Sequence, residues 1–277
     1  MNLSFIIKMI LKINQKTIYT YKGKVNSGYQ KVVLTPQKNS NQSIIGWNII
    51  IDGGKTEILS KDHFGNIINL IRMNDGSKQI KISVKGEVKT FDKNGIVKKE
   101  KHYIPLWCFS QQTNLTLPGL GLNAFFNKIA FDENSIIGSL HKLSEKIRTN
   151  VKYIFGSTNY KTSAESAYKI GEGVCQDHTH IFLSLVRKLN LPARYVSGFF
   201  IPNKKQPNLA MHAWAEVWIA NLGWVGFDIS NGISPDERYV SVGKGFDYND
   251  VVPIKGTIKG MFSEESHSSL KITGINQ

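Results

Sequence analysis

The chain has 277 residues, 41% hydrophobic and 20% charged, an ordinary globular balance that argues against a disordered tail or a fibre. Single cores stop growing near roughly 250–300 residues, so two domains are expected. The formal net charge of +14 would suit an anionic partner, but the lysines are spread along the chain rather than gathered into a stripe, and no nucleic-acid partner is expected. Two cysteines, Cys108 and Cys175, are too few for a disulfide framework or a four-cysteine zinc site and point to a reducing compartment, the cytoplasm.

The opening "MNLSFIIKMILKINQ" is apolar, yet Lys8 and Lys12 interrupt it and no small-residue cleavage site follows. It reads as an ordinary first strand from about Met9, not an export signal or a membrane span. Up to about residue 105, turn signals ("NSG" at 26, "DGG" at 52, "NDG" at 74, "KNG" at 93) separate runs rich in Val, Ile, Thr and aromatics. This predicts an antiparallel β sandwich or barrel over residues 9–118. Pro118, Gly119 and Gly121 mark the connection to a second domain, residues 119–277.

Helical spacing begins with Ile136, Leu140, Leu143 and Ile147, and "TSAESAYKI" at 162–170 predicts a second, short helix. After Cys175 the residues Ile181, Phe182, Leu185, Val186 and Leu189 recur at three- and four-residue intervals, with Pro192 beyond them. Cys175 therefore opens a helix. Strands are predicted at 193–201, 211–219 and 223–229, which makes the second domain a helix followed by a meander and the whole chain α+β.

Cysteine attacks amides as its thiolate, and the unpaired N–H groups of a helix N-terminus favour negative charge there. In "GEGVCQDHTH" the glycines at 171 and 173 let backbone come close above the sulfur, and Asp177 is placed to cap the first turn. In "MHAWAEVWI" the two-residue period sends His212, Trp214, Glu216 and Trp218 to one face and Ala213, Ala215, Val217 and Ile219 to the other, the buried one. If the hairpin pairs residues of even sum, such as Ile219 with Gly223, His212 and Asp228 share a face. That register requires an odd-length turn or a bulge. Cys175 would then be the nucleophile, His212 its base and Asp228 the acid that orients His212, with Glu216 or Asp247 the next candidates for the acid.

"GEGVCQDHTH", "LPARYVSGFF", "MHAWAEVWI", "GWVGFDISNG" and "GFDYNDVVPIKG" together resemble the bacterial transglutaminase-like superfamily, and "KTIYTY", "KVVLTP" and "KDHFGN" are similar to the β domain that precedes its core. The resemblance covers about residues 9–262. It implies a papain-like core in which a Cys-bearing helix packs on an antiparallel sheet, with the nucleophile at Cys175, the base at His212 and the orienting acid at Asp228. Two departures stand out: Asp228-Ile229-Ser230-Asn231 replaces a usual Asp-Pro-Thr-Asn, and Gly245-Phe246-Asp247-Tyr248 lacks a usual arginine at 246.

The function expected is a cysteine peptidase or other amide hydrolase that acts on a peptide or protein through a thioester. The alternatives are a transglutaminase that cross-links or deamidates glutamine, and a non-catalytic interaction scaffold. Trp214 and Gly173 are the candidate substrate contacts. Cys108 reads as packing and His63 as a loop histidine. Cys175, Asp177, His178 and His180 are metal-ligand types, but only Cys175 and His178 share a helix face, so no metal is expected. With no phosphate-cradling glycine loop, no cofactor is expected either. The oligomeric state is left open.

Overall fold

In the computed structural model, residues 7–98, 104–203 and 210–276 are described. The first strand, β1 (Lys8–Thr35), is followed by β2 (Gln42–Asp52), β3 (Gly54–Lys61), β4 (Ile67–Met73) and β5 (Gln79–Phe91). They pair antiparallel in the order β2-β5-β1-β4-β3. β2 and β3 are the two ends of that order, yet only Gly53 separates them in sequence, in the left-handed region at φ 83°. The sheet must therefore curl until its ends nearly meet, and it is almost a barrel. Its interior is apolar, with Tyr21, Val32, Leu34, Ile71, Ile80, Ile82 and Val84 buried together. The "NSG" expected as a turn at residue 26 is instead a bulge within β1, where the register shifts between Val25 and Ser27. A bulge absorbs one extra residue and bends a strand without ending it.

The second region starts with the short β6 (Ile96–Val97), then α1 (Leu120–Phe126), α2 (Ile136–Asn150), β7 (Lys152–Tyr153), α3 (Ala164–Ile170), β8 (Glu172–Gly173) and α4 (Cys175–Lys188). β9 (Ala193–Phe200), β10 (His212–Ile219), β11 (Gly223–Phe227) and β12 (Tyr239–Gly245) complete it as a sheet ordered β12-β9-β10-β11-β6. The helices pack on one face of this sheet around Leu140, Leu143, Ile147, Ile181, Phe182, Leu185, Ala213, Ala215 and Val217. These include the apolar stripes of α2 and α4 and the odd-numbered face of β10. The other face of β10 is covered as well, so Trp214 and Glu216 are each only 2% exposed. The physical reason lies in the segment after β11: Pro235 packs so close to Gly226 that a Cβ there would lie 2.8 Å from the proline ring.

The chain crosses the expected boundary at 118 in both directions. β6 adds to the second sheet, Trp224 opposite Val97. The last strand, β13 (Ile254–Asn276), returns to the first sheet and pairs with β1 from Met9 to Val32. Between the sheets, Leu11, Ile13 and Val88 pack against Phe199, Val240 and Val242. The exposed edge of β12 is met by two side-chain amides of the first region. Gln42 accepts from the Ser241 N–H and donates to its carbonyl at 2.8 Å, and Asn66 does the same for Lys244 at 2.8 and 2.7 Å. Each amide offers a donor and an acceptor side by side, as a neighbouring strand would, and so satisfies an edge that would otherwise be open to pairing.

Candidate active site

The stretch before α4 explains itself locally. Asp177 reaches back to accept from the Val174 N–H at 2.8 Å and from the Thr158 hydroxyl at 2.6 Å, so it caps the turn that begins the helix. Gly173 must be glycine, because a Cβ would lie 2.7 Å from the Asp177 Cβ. Burial pushes the Asp177 carboxyl above its usual range, though both hydrogen bonds oppose the shift. The result fixes Cys175 as the first residue of α4, half-buried, with its thiol free.

β10 supplies His212 at its first position and β11 delivers Asp228 just past its end. Their register has the even sum required: Ile219 opposes Gly223 and Ala215 opposes Phe227. The turn that sets it, Ala220-Asn221-Leu222, is of odd length and has Asn221 at φ 68°. His212 Nε2 lies 2.6 Å from Asp228 Oδ2, and the Cys175 side chain is hydrogen-bonded to the same imidazole, which leaves Nδ1 for the sulfur. Burial alone would lower the His212 pKa. The charges of Asp228 and Cys175, with their hydrogen bonds, outweigh it and raise the pKa to about 10. Conversely, burial would raise the Asp228 pKa, but His212, Asn231 and Tyr239 hold it below the usual carboxylate range. The structure thus brings together Cys175, His212 and Asp228, while Glu216 and Asp247 lie in other pairings.

Asp228 has two further donors that the sequence pattern did not mark. The Tyr239 hydroxyl donates to Oδ2 at 2.7 Å, and the Asn231 side chain donates to the same oxygen at 2.7 Å while its backbone N–H reaches Oδ1 at 3.1 Å. Asn231 stands in the quoted "DISN", so its type and closeness to Asp228 were a usable signal. Tyr239 lies eleven positions on and in another strand, and nothing local points from it to Asp228.

The two expected substrate contacts are inside the protein. Trp214, 2% exposed, packs edge-on against Tyr239 and flat beside His212, with ring centroids 5.4 and 6.4 Å away. Its role here is to hold the histidine. Gly173 is buried and bridges to Tyr153 of β7. Glu216 binds Arg194 at 2.7 Å in a buried pair that stacks on Trp224. His178 and His180 are engaged internally: His178 Nδ1 and Nε2 each lie 2.9 Å from partners, Ser230 Oγ and the Val151 carbonyl, and His180 Nε2 accepts from the Tyr248 N–H at 3.2 Å. Burial, reinforced by Arg187, lowers the His180 pKa to about 4 although Asp247 opposes it, so this ring is neutral. Among the described residues no group of three or more His, Cys, Asp or Glu is placed to hold a metal ion. Where an arginine was expected, Phe246 packs against Phe64 and Phe109, and the buried cation near Asp247 is Arg187, bonded to the carbonyls of Phe109, Ala193 and Phe246.

Around Cys175 the surface is open. Two clefts of about 510 and 630 Å³ run between the β1/β13 face and the second region, and Tyr19, Tyr248 and Ile254 line both. The Tyr248 phenol is close enough to Cys175 to feel its charge.

Fold and site together define a thiol centre of papain-like layout, a half-buried cysteine at a helix start facing a histidine held by a buried carboxylate. Comparison with known proteins agrees in class. Residues 124–229 match the Transglutaminase-like superfamily core and residues 11–89 match the Bacterial transglutaminase-like N-terminal region. The chain carries a transglutaminase-like core preceded by the bacterial transglutaminase-like N-terminal domain. It is 24% identical to an uncharacterized protein of Mycobacterium leprae, over 96% of this chain and 99% of that one, and 27% identical to an uncharacterized protein of Mycobacterium tuberculosis, over 89% and 87%. Its fold is similar to the crystal structure of a candidate cysteine protease from Cytophaga hutchinsonii, with TM-score 0.78 and 21% identity over 99% of this chain and 92% of that one. No helix among the described residues is long and apolar enough to cross a membrane.

Proposed function

We propose that the protein is a thiol-dependent amide hydrolase, a peptidase that works through Cys175, His212 and Asp228. One observation carries this reading: a single imidazole, that of His212, bonds the Cys175 thiol on one side and the buried Asp228 carboxylate at 2.6 Å on the other. In the first step the sulfur attacks the amide carbonyl carbon and His212 gives its proton to the leaving amine, so a thioester forms and the C–N bond breaks. In the second, His212 takes a proton from water, the hydroxide adds to the thioester and the acid leaves as the thiolate returns. Asp228 keeps the imidazole in one tautomer and balances its positive charge in both steps.

Water is the favoured acceptor because Cys175 is half-buried beside clefts open to solvent, whereas transfer to an amine requires a site that excludes water. A peptide or protein is the substrate class these clefts suit. The test is incubation with a peptide library and primary amines, read by mass spectrometry. Cleaved or deamidated peptides that vanish with Cys175→Ala support hydrolysis. Amine-linked products would move the protein to the acyltransferases, and unaltered peptides with a Cys175 inert to iodoacetamide would leave only a scaffold.

A further inference from the structure

The triad accounts for the nucleophile and its proton, but a tetrahedral intermediate also places a negative charge on the substrate oxygen. The N–H of Cys175, first in α4, is one donor for that charge, since helix starts leave such groups unpaired. Beside it stands a tyrosine that the triad does not use. β7 and β8 form a two-stranded parallel ladder in which Tyr153 pairs with Gly173, and the Ile154 N–H donates to the Gly173 carbonyl at 2.9 Å. This ladder fixes Tyr153 two residues from the nucleophile. Its ring is 55% exposed, while its hydroxyl end is enclosed against Cys175, bonded to the thiol and accepting from the Cys175 backbone N–H.

We propose that Tyr153 is a catalytic residue, the side-chain donor that shares the substrate oxyanion with the Cys175 N–H. The inference rests on the acyl-enzyme reading of the site. At rest the hydroxyl donates to the sulfur, where the negative charge is. When the sulfur's electron pair forms the S–C bond, the carbonyl π pair moves onto oxygen and the charge moves by about one bond length. The hydroxyl follows it from sulfur to oxygen and releases the Cys175 N–H to donate to the same atom. No proton is transferred to or from Tyr153. Burial, the Cys175 charge and the hydrogen bond to Cys175 all hold the phenol's pKa well above its ordinary value, so it stays a donor across the neutral range.

Two probes of Cys175 separate this role from others without knowledge of the natural substrate. Acylation by p-nitrophenyl acetate passes through an oxyanion; alkylation by iodoacetamide does not. Tyr153→Phe keeps the ring and removes the donor. The expected result is a loss of about 10²–10³-fold in acylation, the size found for single oxyanion donors, with the alkylation rate and melting temperature little changed. If acylation and alkylation fall together, Tyr153 acts on the thiol alone and the assignment fails. If acylation is unchanged or faster, the hydroxyl is a bystander or an obstacle, and the tyrosine falls while the Cys175 nucleophile stands. A wild-type protein that alkylates at Cys175 yet is never acylated overturns the acyl-enzyme reading and this one with it.

Discussion

β10 carries two buried acid–base pairs on one face, four residues apart, and they behave oppositely. Arg194 and Glu216 have side chains 5% and 3% exposed; their charges are closed off, stacked on Trp224 and in contact with nothing reactive. His212 and Asp228 are 11% and 0% exposed, yet the second nitrogen of the histidine opens onto a thiol. The distinction is not burial but what the cation can do. A guanidinium cannot lose its proton in a protein, so its pair can only hold structure, whereas an imidazole can give its proton up and take it back. A site becomes chemical where a buried pair includes a titratable cation and leaves one side of it open.

The largest effect that would sharpen this contrast is expected from Asp228→Asn. The carboxamide fits the space but cannot balance an imidazolium, and loss of an orienting acid of this kind costs about 10³–10⁴-fold in turnover. Iodoacetamide should also alkylate Cys175 more slowly, while circular dichroism stays native. Full activity in this variant would remove Asp228 from its role. Next is Glu216→Ala, which strands a buried guanidinium and should cost about 3–5 kcal/mol of stability. Denaturant titration would read that loss, and the folded fraction should keep the wild-type alkylation rate. A normal stability with impaired alkylation would mean that the two pairs are not separable.

The smallest effect is a pH dependence. The folded pKa of His212 is raised from 6.5 to about 10, so the stability it contributes is full below the unfolded value and is lost as pH rises through about 10. Asp228 is shifted down, so its contribution is present above about pH 4 and fades as pH falls through its lowered value. The gap in melting temperature between the wild type and Asp228→Asn should therefore be widest near pH 5–7 and narrow toward pH 10. The gap for Glu216→Ala should not narrow over that alkaline range, because arginine does not titrate there. Equal narrowing in both variants would break the comparison.

Much of the site was legible because it depends on order and period along the chain. The glycines before Cys175, the apolar stripe after it, and the two-residue alternation from His212 to Trp218 are local facts, and each became the predicted helix start or strand face. Parity along the hairpin even fixed the condition for His212 to meet Asp228, an odd turn, which Asn221 supplies in a left-handed conformation. Local pattern also misleads: "NSG" carries a turn signal, but inside a strand paired on both sides a bulge is the lower-energy answer. Trp214 shares the His212 face, and period alone cannot tell an open face from one roofed by Pro235 and its neighbours.

What the sequence by itself determined was therefore the class of fold, the helix that begins at Cys175 and the identity of the three residues that meet there, since these rest on spacing within single elements and on one short hairpin. Only the tertiary structure decided that β13 returns to β1, that Gln42 and Asn66 seal the β12 edge, and that Tyr239 and Tyr153 reach the triad. Those contacts join residues far apart in the chain. Their formation depends on how whole sheets curl and pack, a global balance of buried area and satisfied polar groups that leaves no periodic trace at either partner.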